Sequence, residues 1–208
     1  DFLDAYYYSL RGRNNTDTDR ALEGLVNSNY KLRKFGDSLF FKQIIIQRIE
    51  RSIAQMGEES EYDEIDLGES ILDAGVLAVR GYRHKSAKRY LDSAEAIFQQ
   101  ADESSQIGRI YKYRGIDAVN RSKYREAIEH YLKSHKYFQN ENPSASSERL
   151  VDIAGVYRNR LSEYSKALEF YDRAINEQVK NSGKSIVRKI LIDKANTQLS
   201  LGQVSSAI

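Results

Sequence analysis

Small residues recur in this chain at an interval of forty, with no insertion or deletion: Gly75, Gly115 and Gly155 form one series, and Ala87, Ala127, Ala167 and Ala207 another. A fixed internal period means that one supersecondary unit is repeated and stacked, because a single unit cannot bury its own apolar face. Leu91, Tyr131 and Tyr171 follow the first three alanines by four residues, and Ala94, Ser134 and Ala174 follow them by seven. That spacing is one face of a helix. Upstream, Ile71, Tyr111, Val151 and Leu191 precede the glycine series by four, with Ala195 replacing glycine in the last copy, and these define a first helix. The stretches Arg83-His84-Lys85, Ser122-Lys123-Tyr124, Ser162-Glu163-Tyr164 and Gly202-Gln203-Val204 lie between the stripes as short polar or glycine-bearing turns. Each unit reads as a helical hairpin in which glycine and alanine let two backbones approach while tyrosine or leucine fills the groove.

Composition agrees. One proline and 12 glycines in 208 residues are too few for a turn-rich β architecture. The chain is 40% hydrophobic and 30% charged, enough for a sizeable core but without an apolar run that would span a membrane. The absence of cysteine excludes disulfides, thiolate zinc sites and cysteine nucleophiles, and leaves the cellular compartment unread. With 32 basic against 30 acidic residues, the net charge of +2 lacks the excess expected of a nucleic-acid binder.

The expected fold is therefore an all-α, right-handed superhelical solenoid of stacked antiparallel hairpins, at about 66–101, 106–140 and 146–181. Residues 1–57 read as divergent N-terminal helices or capping repeats, 58–65 as an acidic linker, and 66–208 as repeats of which the last is truncated. In the first segment Ala21, Leu25 and Ser28 reproduce the second-helix stripe, and Thr16 with Asp19 suggests a capping box. Asp37 to Met56 reads as one helix with Phe40, Ile44, Ile45, Ile49 and Ile53 on its apolar side and Gly57 as its stop. Because Ile208 falls where a second helix begins, the chain is expected to be a piece of a longer protein.

The run Tyr111, Gly115, Tyr124, Ala127, Tyr131, Ser134 resembles the tetratricopeptide repeat (TPR) family, and Val151, Gly155, Tyr164, Ala167, Tyr171, Ala174 repeats the pattern. The resemblance covers residues 68 to 208. The period is forty rather than the family's usual 34, Arg114 stands where leucine is usual, and no proline closes a repeat. Stacked hairpins of this kind place their first helices on a concave side, and helical geometry and the resemblance agree on which positions face it. In the second unit these include Arg109, Lys112, Tyr113, Ile116 and Asn120; in the third, Arg149, Val156, Asn159 and Arg160; in the fourth, Asn196. The expected partner is a protein or peptide with acidic and apolar side chains, with no nucleic acid; a homo-oligomer is compatible with the pattern. The family's clamp for a terminal carboxylate pairs lysine with asparagine four residues on. Here Lys112 is followed by Ile116, and Asn196 by position faces Ile192, so that mode is not expected.

No catalytic, cofactor or metal constellation emerges, and enzymatic activity is not expected. Asn181-Ser182-Gly183-Lys184-Ser185 resembles the end of a phosphate-binding loop but lacks the earlier glycine, Gln178 standing in its place, and the preceding strand. Its bland reading is a helix stop at Gly183 and a cap at Ser185. His130 and His135 are five apart and diverge around a helix, so they read as solvated or half-buried. Two functions fit this sequence: a protein- or peptide-binding scaffold, or the sensory region of a bacterial signalling protein whose output domain lies outside this piece.

Overall fold

The computed structural model describes residues 15–180 and 184–202. The stop and cap expected at Gly183 and Ser185, and the end of the last repeat beyond Gly202, lie outside the residues or side chains described. Among the described residues the chain is helical without a strand, and no helix is long and apolar enough to cross a membrane. It divides into two compact units, one up to Asp102 and one from Glu103. The first contains α1 (Asn15–Lys31), α2 (Phe35–Met56), a 3-10 turn (Gly57–Glu59), α3 (Glu64–Arg80) and α4 (His84–Gln100). The second contains α5 (Ser104–Asn120), α6 (Tyr124–Phe138), α7 (Pro143–Val156) running into a π-helical turn (Tyr157–Leu161), α8 (Tyr164–Lys180) and α9 (Lys184–Ser200). Each helix packs against the next within its unit, so that α3 with α4, α5 with α6, and α7 with α8 form hairpins.

The small-residue stripe is core. Ala87, Ala127 and Ala167 are fully buried, as are Ala94, Ser134 and Ala174. A Cβ added at Gly75 would stand 2.9 Å from Leu91 Cδ2, and one at Gly115 would stand 2.4 Å from Tyr131 Cε1. Glycine is thus required at these crossings by the ring or branched side chain it faces. Gly155 departs from the expectation: nothing lies within 4 Å of the same atom there. Ser134 turns its burial into a link, its Oγ donating to the Gly108 carbonyl at 2.7 Å across α5 and α6.

Four of the turns close without glycine in the left-handed position, whereas Gly202 after α9 has φ 80°. Arg33, Tyr82, Ser122 and Ser162 all have φ between 55° and 59°. A non-glycine residue there costs roughly 1–2 kcal/mol, and the turn offsets it by satisfying carbonyls that the helix end leaves open. The amides of Lys34, Arg83 and Lys123 donate to the carbonyls of Asn29, Ala78 and Ala118, each at 2.8 Å, which is the Schellman closure. In the last of the four turns the π-helical widening makes the loop one residue longer, and Glu163 donates to Tyr157 at 2.9 Å.

Three local expectations change. Within α2 the buried side is Leu39, Ile45, Ile46 and Ile49, while Phe40 is 57% exposed; α2 lies between α1 and α3 and buries a broader arc than one stripe. The capping box expected of Thr16 and Asp19 falls on a Thr16 side chain outside those described, and what the structure describes of Asp19 is an ion pair. The Asp19 carboxylate accepts from Arg48 Nε at 2.5 Å and from the Tyr62 hydroxyl, ion-pair chemistry stronger than a local backbone bond. Within the acidic stretch it is Asp63 that caps, accepting from the Ile65 and Asp66 amides at 2.8 and 2.9 Å while Asp66 accepts from the Asp63 amide. His135 is buried rather than solvated, with Nδ1 2.7 Å from Ser146 Oγ and Nε2 3.5 Å from Glu177 Oε1, tying α6 to the starts and ends of α7 and α8.

Candidate functional site

The groove residues expected from the second, third and fourth repeats all fall in the compact unit that begins at Glu103, and the structure gathers only part of them. Lys112 on α5 lies half-buried. Its ammonium stands 5.6 Å from the Tyr113 ring and within the electrostatic reach of Arg109 on its own helix and of Arg149, Glu148 and Asp152 on α7. Burial lowers the Lys112 pKa, and the nearby Arg149 lowers it further. Arg149 is only 3% exposed. Its guanidinium sits 3.1 Å from Glu148 Oε2 and 3.1 Å from Asp152 Oδ2, so this expected groove arginine is buried and paired within α7 rather than open to solvent. Burial raises the Asp152 pKa even though Arg149, Lys112 and Lys189 oppose the shift. Burial likewise raises the Tyr131 hydroxyl above its ordinary range, with Asp152 adding to it. Arg109 extends over α5 to Gln106, donating to its Oε1 at 2.6 Å.

Ile116 and Val156 behave differently although both were placed on the groove. Val156 is buried in the core with Leu150, Ile153 and Tyr171 and cannot meet a ligand, whereas Ile116 is only partly buried against that core. Asn120, at the end of α5, is partly buried. Asn159 and Arg160 are exposed on the π-helical turn, where Asn159 Oδ1 accepts from the neighbouring Arg158 Nε at 2.9 Å. A π-helix advances more residues per turn than an α-helix, so a period of 3.6 does not run unchanged past Val156. Asn196 is exposed on α9 beside Ile192 and Leu199, which are 57% and 49% exposed.

Sequence reasoning passed over two residues that shape this face. Glu148 compensates half of Arg149. Arg158 ties α7 to α9, its Nη1 donating to the Asp193 carbonyl at 3.2 Å with the Asp193 carboxylate 3.6 Å away. Glu148 sits directly beside Arg149, so a neighbour-charge check would have found it; Arg158 carried no signal because the π-helical turn that directs it has none. The resulting face of α5, α7 and α9 carries Lys112, whose charge is opposed by burial and by Arg149, together with the exposed aliphatic Ile192 and Leu199. Such a face can accept carboxylates and apolar side chains.

Comparison with solved structures places this architecture among TPR-like helical repeats. The apo form of RapI matches over 92% of this chain with a TM-score of 0.70 at 17% identity, and this chain covers 56% of RapI, so it spans about half the length of that protein. BtubC (BKLC) from P. vanneervenii matches over 99% of this chain and 84% of its own, with a TM-score of 0.73 at 13% identity. A signal transduction ATPase with numerous domains and a tetratricopeptide repeat sensor, PH0952 from Pyrococcus horikoshii, matches over 99% of this chain and 33% of its own, with a TM-score of 0.63 at 19% identity. No curated protein sequence matches. The family described as soluble NSF attachment protein, SNAP, matches residues 52–207, which takes in everything from the end of α2 through α9. Well over half of the sequence and all of the hairpins from α3 onward thus fall within one family, and the chain belongs to the soluble NSF attachment protein (SNAP) family.

Proposed function

We propose that this chain is a non-enzymatic scaffold, built on a TPR-like repeat of forty residues, that binds a protein or peptide segment bearing acidic and apolar side chains along the face of α5, α7 and α9. The observation that carries the reading is Lys112: burial and Arg149 both disfavour its charge, so an incoming carboxylate relieves a cost that the unliganded protein bears. Ile192 and Leu199 supply apolar contact that a purely electrostatic site lacks. The left-handed turn residues Tyr82, Ser122 and Ser162 and the helix starts His84, Tyr124 and Tyr164 support the forty-residue spacing. The family's description, of a protein that attaches NSF, makes a protein the natural class of partner.

The test is fluorescence anisotropy with a labelled glutamate-leucine peptide and its lysine-leucine counterpart, at low and high salt, on the parent and on an Arg109→Glu/Lys112→Glu variant. Arg149 is left intact because a glutamate there would stand buried against Glu148 and Asp152. The acidic peptide should bind, more weakly as salt rises, and roughly tenfold more weakly to the variant. Equal affinity for parent and variant, without salt dependence, overturns the reading. The likeness to a signalling ATPase with a repeat sensor favours a second reading, in which this chain is the sensory region of a signalling protein. That reading is tested on the natural full-length protein: an appended ATPase, kinase or DNA-binding activity that changes on peptide addition supports it, and an unchanged activity rejects it.

A further inference from the structure

The first unit contains a cavity of about 220 Å³ lined by α1, α2 and α3, which the groove of the second unit does not involve. At its floor lies Lys42, whose side chain is only 4% exposed. Its Nζ is 2.5 Å from Glu23 Oε1 and 3.5 Å from Asp73 Oδ2, so two carboxylates from different helices share one ammonium. One negative charge is left without compensation. The Glu23 and Asp73 side chains are 42% and 50% exposed, and among the described residues Lys42 is the cation that Glu23 and Asp73 pair with. Val26, Val76 and Leu77 form aliphatic walls, and Tyr30 closes one side. Arg80 stays on the Tyr30 ring at 5.3 Å and pairs with neither carboxylate.

We propose that this cavity receives a basic side chain, lysine or arginine, from a protein partner. A cation entering it meets the second oxygens of Glu23 and Asp73 while its aliphatic stem lies against Val26, Val76 and Leu77, the arrangement that lets a long basic side chain bury its methylenes and keep its charge paired. Lys42 fixes the two carboxylates at one spacing by holding an oxygen of each, so the site is organised before the ligand arrives.

Methyl resonances of Val26, Val76 and Leu77 in the full chain read the site, with short alanine-leucine peptides carrying a central lysine, arginine, norleucine or glutamate as probes. The lysine and arginine peptides should move these resonances and the norleucine and glutamate peptides should leave them in place. Asp73→Asn, at a half-exposed position that leaves the Lys42 to Glu23 pair intact, should weaken the lysine peptide by roughly fivefold, the upper end for a part-exposed ion pair. Glu23→Gln provides a second variant with the same expectation. Arg109→Glu should leave this binding unchanged, which separates it from the groove of the second unit. Equal shifts with norleucine, or Asp73→Asn and Glu23→Gln both binding as the parent does, would overturn the proposal; so would putrescine displacing the lysine peptide at equal concentration, since the site would then belong to small free amines.

Discussion

Replacing glycine by alanine at two positions one repeat apart should move stability in opposite directions. A Cβ at position 115 would lie 2.4, 2.6 and 2.9 Å from Tyr131 Cε1, Cδ1 and Cζ, three atoms of one rigid ring. The ring cannot swing out, because Tyr131 is 5% exposed and belongs to the core with Ala127, Leu150 and Ile153. Restoring ordinary contact requires a retreat of about 1 Å, and overpacking of this kind costs roughly 1–3 kcal/mol. Alanine's better helix propensity returns at most about 1 kcal/mol. Gly115→Ala should therefore lose about 1–2 kcal/mol. Gly155 has open space around its Cβ position and an ordinary helical φ, so Gly155→Ala keeps the propensity gain and should add roughly 0.5–1 kcal/mol. Urea titration with the slope held common to all variants reads both, and in a chain of this length each kcal/mol shifts Tm by roughly 2–4 °C. Gly115→Ala at or above parent stability, or the two variants falling together, would show that the close crossing at Tyr131 does not govern glycine use in these hairpins.

Two further outcomes follow from the same coordinates. Burial, and then Arg114, lower the His130 pKa, so the unfolded chain takes up a proton at higher pH than the folded one. The stability this contributes is complete above the unfolded value near 6.5 and is lost as pH falls from there through the depressed folded value; His130→Gln should flatten the decline in Tm between pH 7 and about 5, and an unchanged slope would reject the assignment. Asn142 caps α7, its side chain accepting from the Ala145 amide at 3.0 Å ahead of Pro143, and Asn142→Ala should cost about 1 kcal/mol by urea unfolding, with no loss counting against the cap.

The hairpins were legible because small residues, large residues and turn breakers agreed at each repeat, and three independent signals rarely coincide on the wrong fold. The face was less legible than the fold. Ile71, Tyr111, Val151 and Leu191 mark the first helices by their spacing, and Ile71 is buried, but in the later copies the buried residues are the neighbours Ile110, Leu150 and Ile190, and Leu191 is 49% exposed. Adjacent apolar residues differ by 100° around a helix, and periodicity alone does not choose between them when both are large. The turns were located from sequence, but the left-handed residue that closes each one was not, for a different reason. Arginine, tyrosine and serine at positive φ carry no composition signal, because the conformation is imposed by the closing hydrogen bonds rather than preferred by the residue. The π-helical turn at Tyr157–Leu161, which carries Asn159 and Arg160, had no sequence signal for the same kind of reason. Of the candidate contacts, Arg149 and Val156 were drawn into the interior by packing between α6, α7 and α8 that no single helix encodes, while Lys112 remains half-buried on α5.

The central claim is that first helices of the second unit receive an acidic and apolar segment, and methyl NMR tests it most directly. Ile116 on α5 and Ile192 on α9 report the proposed face, while Ile128 on α6 and Ile175 on α8 report the second helices. On titration with the glutamate-leucine peptide, the account predicts shifts at Ile116 and Ile192 that shrink as salt is raised, with Ile128 and Ile175 unmoved. Shifts confined to Ile128 and Ile175, or none at Ile116 and Ile192 at saturating peptide, would contradict it.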